Sequence, residues 1–263
     1  MSLIRQPAVA GSFYPADPTT LDERVSAYLS EVCGGRSSPT PKALIVPHAG
    51  YAYSGPIAAS AFVTLRNLAS PIERVVLLGP SHRVPLRGLA ATEAEVFATP
   101  LGPVRIDREA LDRALQLPQV QLLESAHAFE HSLEVQLPFL VKLLPNFALA
   151  PFAVGDASAE EVAEVLEALW GGDETLIVVS SDLSHYYDYE SARRMDAETS
   201  RAIESLEPEA LGSESACGRV PVRGLLLAAR HHGLRARTLD LRNSGDTAGS
   251  RDQVVGYGAY VFA

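Results

Sequence analysis

The chain has 263 residues, 47% of them hydrophobic and 21% charged, with 22 Lys and Arg against 32 Asp and Glu for a formal net charge of −10. That length suffices for a large core in a single domain over residues 1–263. The acidic balance argues against a nucleic-acid partner, and apolar runs broken well short of ~20 residues argue against a membrane span.

The opening MSLIRQPAVAGSFYPADP lacks the apolar core of an export signal, so a cytoplasmic location is expected. Asp17 and Thr19 can cap a helix over about Leu21–Val32, whose stripe is Leu21, Val25, Tyr28, Leu29 and Val32. GGRSSPTP ends it as a loop. Ala43–Val46 reads as a buried strand, about Pro56–Leu68 as a helix, and Arg74–Leu78 as the next strand, an opening β-α-β unit. Gly88–Ile106 is cut by Thr, Gly and Pro into short strands or a hairpin. Helices follow at Asp107–Gln116 and about Ser132–Leu143, then a strand at Ala148–Val154. Ser158 and Glu161 make a capping box for another helix. The strand Leu176–Val179, helices at Tyr189–Ser205 and Pro221–His232, and strands at Ala236–Leu241 and Tyr257–Phe262 complete the set, with NSGDTAGSRDQ as a loop that can lie over a site. Strands alternating with helices predict a mostly parallel sheet covered on both faces, an α/β fold.

Three of the apolar runs end close to a histidine: KALIVPHAG with His48, RVVLLGPSH with His82, and TLIVVSSDLSH with Asp182 and His185. In an open α/β sheet, ligands bind beyond the carboxyl ends of the strands, so parallel neighbours would deliver these groups to one site. Asp182 and His185 share a face if their segment turns helical. Asp182 can then orient an imidazole, accept a proton or cap the helix, and His185 can act as ligand, acid or base. Cys33 and Cys217 are too few for a disulfide framework, and each is expected as a free thiol. Cys33, before Gly34 and Gly35, reads as a bystander. Cys217 precedes a helix start, where amides and Arg219 can lower its pKa and make it a metal ligand or nucleophile; the other reading is a buried, inert thiol.

HAFEHSLE supplies His127, Glu130, His131 and Glu134. Its first five residues fit the H-x-x-E-H pattern of inverted zinc peptidases, in which His127 and His131 grip zinc and Glu130 activates water. The other reading places His131 and Glu134 on a helix beneath the strand ends, as acid/base groups or partners to ligands. Tyr14, Tyr51 and Tyr53 either line an aromatic pocket or pack inside with satisfied hydroxyls.

RQPAVAGSFYP, VPHAGYAYSG, LLGPSH, EHSLEVQLPF, SSDLSHY, ACGRVPV and GYGAYVF, spread from residue 5 to the end, together resemble the Memo family, which includes the bacterial and archaeal members called AmmeMemoRadiSam system protein B. The resemblance implies a single-domain, three-layer α/β/α sandwich like that of the class III extradiol dioxygenases. It also implies one transition-metal ion, copper or iron with zinc as a further option, held by His48, His82 and Cys217. His185, Asp182 and His131 would surround that centre as proton-handling groups. A thiolate in place of the dioxygenase carboxylate changes both metal preference and potential, so dioxygenase activity does not follow from the fold. The reading that results is a redox-active metal protein, with a dioxygenase-like oxidoreductase as its enzymatic form. The competing reading is a non-catalytic module that binds a peptide or metabolite, or delivers metal, in the same cleft. The family name also implies an Ammecr-family protein and a radical-SAM enzyme as partners.

Overall fold

A computed structural model describes residues 3–32, 40–66, 68 and 70–263 of the chain. Its first half contains β1 (Ile4–Arg5), α1 (Pro18–Glu31), β2 (Ala43–Val46), α2 (Tyr51–Phe62), β3 (Arg74–Pro80), β4 (Leu89–Ala91), β5 (Val96–Thr99), β6 (Gly102–Ile106), α3 (Arg108–Ala114), β7 (Val120–Leu122) and α4 (Ser125–Ala128). The second half contains α5 (Leu137–Leu143), β8 (Ala148–Val154), α6 (Ala159–Ala168), β9 (Thr175–Ser180), β10 (His185–Tyr187), α7 (Tyr189–Glu204), α8 (Arg219–His231), β11 (Ala236–Asn243) and β12 (Val254–Phe262).

One mixed sheet joins the strands, with the main order β1-β5-β6-β8-β3-β9-β2-β12-β10; β11 pairs with β12, and β4 bridges β7 and β8. At its centre β8, β3, β9 and β2 are parallel, with Leu78 opposite Val179 and Val46 opposite Ser180. These strands are apolar over nearly their whole length because helices cover both of their faces. Helices α1, α2 and α5 pack on one another and, through α2, on β2, β11 and β12; α3, α6 and α8 form a second group against β3, β8 and β9. The sheet is therefore the middle of three layers, as the sequence reading expects. Among the described residues no helix is long and apolar enough to cross a membrane.

Local signals act as their chemistry requires. Asp17 caps α1 by accepting from Thr20 N, and Leu21, Val25, Tyr28 and Leu29 are buried. Ser158 and Glu161 form the expected capping box on α6. Three expectations need correction. Helix α2 starts at Tyr51, five residues before Pro56, which sits inside it; the carbonyl that loses its partner there belongs to exposed Ala52, where water can replace the missing N–H. Residues 132–143 are not one helix, because a turn and a 3-10 segment precede α5 at Leu137. Residues 181–184 are irregular rather than helical, and His185 opens β10 instead, paired with Val255. The expected loop after β11 is present and runs beside α7, where Arg251 lies over the Tyr189 ring at 4.3 Å and its carbonyl accepts from Tyr189 N. Cys33 and most of the GGRSSPTP loop lie outside the described residues.

Candidate metal centre

The three histidine-bearing runs become β2, β3 and β9, and β9 lies between the other two. Their carboxyl ends therefore open side by side. Beyond β2, Pro47 leads into His48, whose backbone N–H donates to Asp182 Oδ1 at 2.7 Å, so the loop after β9 clamps the loop after β2. Beyond β3, Ser81 N donates to Val154 O at 2.9 Å, and His82 follows. The rings meet there, with centroids of His48 and His82 5.1 Å apart, His48 and His131 5.5 Å, and His82 and His131 4.8 Å. One donor atom from each of His48, His82 and His131 lies within 4.8 Å of the others, close enough for small side-chain shifts to bring all three onto one ion.

Hydrogen bonds fix which nitrogen each ring turns inward. Ser180 Oγ donates to Ser132 O at 2.6 Å and accepts from Gln136 Nε2 at 2.8 Å. Its remaining lone pair takes the Nδ1–H of His48 at 2.8 Å, which leaves His48 Nε2 unprotonated. His82 Nδ1–H donates to Glu130 Oε1 at 2.9 Å, which likewise frees Nε2. This carboxylate–imidazole pairing is the one that orients metal ligands and raises their basicity. His131 Nδ1 is buried with no hydrogen-bond partner, 3.4 Å from Glu130 Oε1. Two imidazoles whose Nδ1 is engaged elsewhere, with a third ring whose donor atom lies close to theirs, make a nitrogen donor set that suits a bound cation.

Glu130 organises this cluster. Its Oε1 accepts from His82 Nδ1 and from the amides of His131 and Ser132, and its Oε2 accepts from His82 N at 2.6 Å. Burial opposes its charge, yet these donors hold the carboxyl down at about 2. The sequence reading gave Glu130 the water-activating part in a zinc-peptidase motif; that arrangement does not form. His127 Nε2–H donates to Ala90 O at 2.9 Å and its ring packs on Phe97, because α4 stops at Ala128 and the chain turns before His131. The signal for Glu130's real partner was its place one residue before His131, but nothing in the sequence points it at His82.

Cys217 arrives from the turn before α8. Its Sγ lies 3.2 Å from His48 Nε2 and accepts from Asp182 N at 3.3 Å. Gly218 permits the approach, since a Cβ there would stand 2.7 Å from Ser181 Cβ and 2.8 Å from Ser180 O. The thiol does not have the lowered pKa expected of a helix start. Burial, and then the Asp182 carboxylate, push it up to about 12. Burial also raises Asp182 to about 6 against the pull of the His48 amide, and burial followed by the neighbouring imidazoles drives His48 well below the usual imidazole range. His185 donates its Nδ1–H to Leu183 O at 2.8 Å and lies outside the three-ring group.

The amino-terminal motif supports the site from behind. Arg5 reaches His127 O, Glu130 O and the buried Glu134 carboxylate, which also accepts from the amides of Ala8 and Val9 and from the Tyr14 hydroxyl. Glu134 thus anchors the segment that carries Glu130 and His131; it has no place among the rings. Tyr14 and Tyr51 are interior with bonded hydroxyls, Tyr51 donating to Val135 O at 2.7 Å, whereas Tyr53 is exposed.

The profile of a family described as Memo-like protein matches residues 5–261. The chain belongs to the Memo family. A MEMO1 family protein of Aquifex aeolicus is 37% identical over 98% of this chain and 99% of its own length. One from Aeropyrum pernix is also 37% identical, over 97% and 98% respectively. Among solved structures, an uncharacterized protein of Escherichia coli overlays 82% of this chain and 98% of its own with a TM-score of 0.55 at 16% identity, a likeness of fold alone. The stretches that carry His48, His82, Glu130, His131 and Cys217 all fall inside the Memo match.

Proposed function

We infer that this Memo-family chain is a transition-metal-binding protein whose centre is redox-active. The observation that carries the reading is the convergence of three imidazoles whose donor atoms lie within 4.8 Å of one another, two of them with Nδ1 already committed elsewhere. His48 and His82 would hold the ion with His131 as the third imidazole of the group, and Cys217, which touches His48 but lies outside that three-ring group, would add a sulfur ligand from the His48 side. An imidazole and thiolate set suits copper, iron or zinc, and a redox-capable ion would supply electron transfer or dioxygen activation when bound. The buried Cys217 thiol keeps its proton on its own; a neighbouring cation is what would remove it. Asp182 and His185, beside the rings, are the groups that would take up and release protons.

Two measurements test the reading. Metal analysis of freshly purified protein is expected to give a stoichiometric ion that falls sharply in Cys217→Ala and in His48→Ala; full occupancy in both would refute the ligand assignment. Oxygen uptake by the reconstituted protein across a catechol and small-molecule panel tests the redox activity, and no turnover with a fully loaded centre would refute it. A second reading, a binding module for a peptide or metabolite, is favoured by exposed Tyr53 and Tyr186, which lie close enough to buried Tyr257, near Asp182, to bear on its ionisation. Saturable ligand binding without turnover would select it.

A further inference from the structure

Five of the seven histidines are placed above: three in the cluster, His185 beside it and His127 in the core. The remaining pair, His231 and His232, ends α8. Their side chains converge on one carboxylate of a different helix. His231 Nδ1 lies 2.8 Å from Glu167 Oε1 and His232 Nε2 lies 2.8 Å from Glu167 Oε2, and one donor atom from each of the three residues lies within 4.8 Å of the others. Helices α6 and α8 pack along each other, which fixes the two backbones. The ring of His232 is held flat on Trp170 at 3.8 Å and 6°.

We propose that Glu167, His231 and His232 form a second, surface site for a divalent transition-metal ion of the copper, nickel or zinc class. Two imidazoles and a carboxylate are the donor set such ions prefer among nitrogen and oxygen ligands. Both imidazoles direct a nitrogen at the same carboxylate, and each N–H that donates there is a proton an ion can displace. Bonds of about 2.1 Å in a tetrahedral site hold donors about 3.4 Å apart, so the nitrogens and carboxylate oxygens, now 2.8 Å apart, have to open by roughly 0.6 Å to admit an ion, a shift within reach of surface side chains. The carboxylate stays charged: burial opposes its ionisation, but the bonds from His231 and His232 outweigh it and lower the Glu167 pKa. Lys42 sits 5.3 Å from the Trp170 ring and directs its ammonium at the carbonyls of Trp170, Gly172 and Thr175. The site is independent of the first one. Cys217 precedes α8 and His231 closes it, so the 13 residues of the helix separate the two by roughly 20 Å at ~1.5 Å per residue.

Trp170 is the only tryptophan in the chain, which makes the site self-reporting. Cu2+ bound by His232 would rest against that indole and quench its emission, while Cu2+ at the first site is too distant to do so strongly. The experiment titrates Cu2+ into the metal-free full chain at about pH 8, where imidazoles are neutral. It is repeated in the His48→Ala/His82→Ala variant. Saturable quenching is expected in both proteins, with the half-quenching concentration rising more than tenfold in His231→Ala and in Glu167→Gln, neither of which removes the His232 stack. Trp170 emission that ignores Cu2+, or quenching that survives both substitutions, would overturn the proposal. Because the readout does not involve the first site, failure of either reading leaves the other standing.

Discussion

Replacing Glu130 with Gln changes one oxygen to an NH2 and removes a charge, with almost no change in volume. Oε1 receives three donors and Oε2 one, so the Gln carbonyl would take the Oε1 position and turn its NH2 toward the amide of His82, two donors face to face. A carboxyl held at about 2 against an ordinary 4.5 reflects about 3 kcal/mol in favour of the ionised form, and the substitution forfeits most of that. Leaving one buried N–H without an acceptor costs about 1–3 kcal/mol of stability. Loss of the carboxylate behind a ligating imidazole lowers metal affinity by roughly 10–100-fold. Chelator competition on the loaded protein and thermal melts of the metal-free protein separate the two effects. The expected result is a weaker site and a lower Tm together. A Tm that falls while metal affinity stays within about twofold of wild type would show that Glu130 only braces the loop, and the orientation argument would be wrong.

Adding a methyl at Gly218 drives it into Ser181 and the Ser180 carbonyl, so Gly218→Ala is expected to cost about 1–3 kcal/mol and to loosen Cys217 from His48; unchanged melting and metal content would contradict the close approach. Arg5→Met strands the buried Glu134 carboxylate, and denaturant melts should show a loss of about 3–5 kcal/mol, where a loss below 1 would mean the pair carries little. His127 is buried and neutral, with its pKa pushed down by burial to about 4 from an ordinary 6.5. Below pH 6.5 the unfolded chain takes up the proton first, so stability contributed at neutral pH is lost as pH falls, by about 3 kcal/mol on reaching pH 4. Urea melts of His127→Gln should show a shallower dependence over that window, and an identical slope would refute the assignment.

Local chemistry is legible wherever it is decided by neighbours in the chain. Asp17 and Ser158 cap their helices because a short acceptor beside free amides needs nothing from elsewhere. β2, β3 and β9 stand out as apolar runs because both of their faces are covered. Where the chain leaves a regular element, the reading fails for identifiable reasons. Pro56 looks like a helix start, yet the helix begins at Tyr51, since a proline opposite an exposed carbonyl breaks little. His127 and His131 look like one gripping pair because spacing alone ignores the turn that sends the first to Ala90 and the second to His48 and His82.

The sequence by itself determined the central strands and capped helices, the family motifs and the fact that His48, His82 and Asp182 follow strand ends. Only the tertiary structure decided that β9 lies between β2 and β3, that His131 joins the two strand-end imidazoles, that Cys217 touches His48, and that Glu130 serves His82 rather than His127. Caps and apolar runs are settled by contacts a few residues apart. The candidate site brings together groups up to 169 positions apart, and their meeting depends on strand order, which no local pattern encodes.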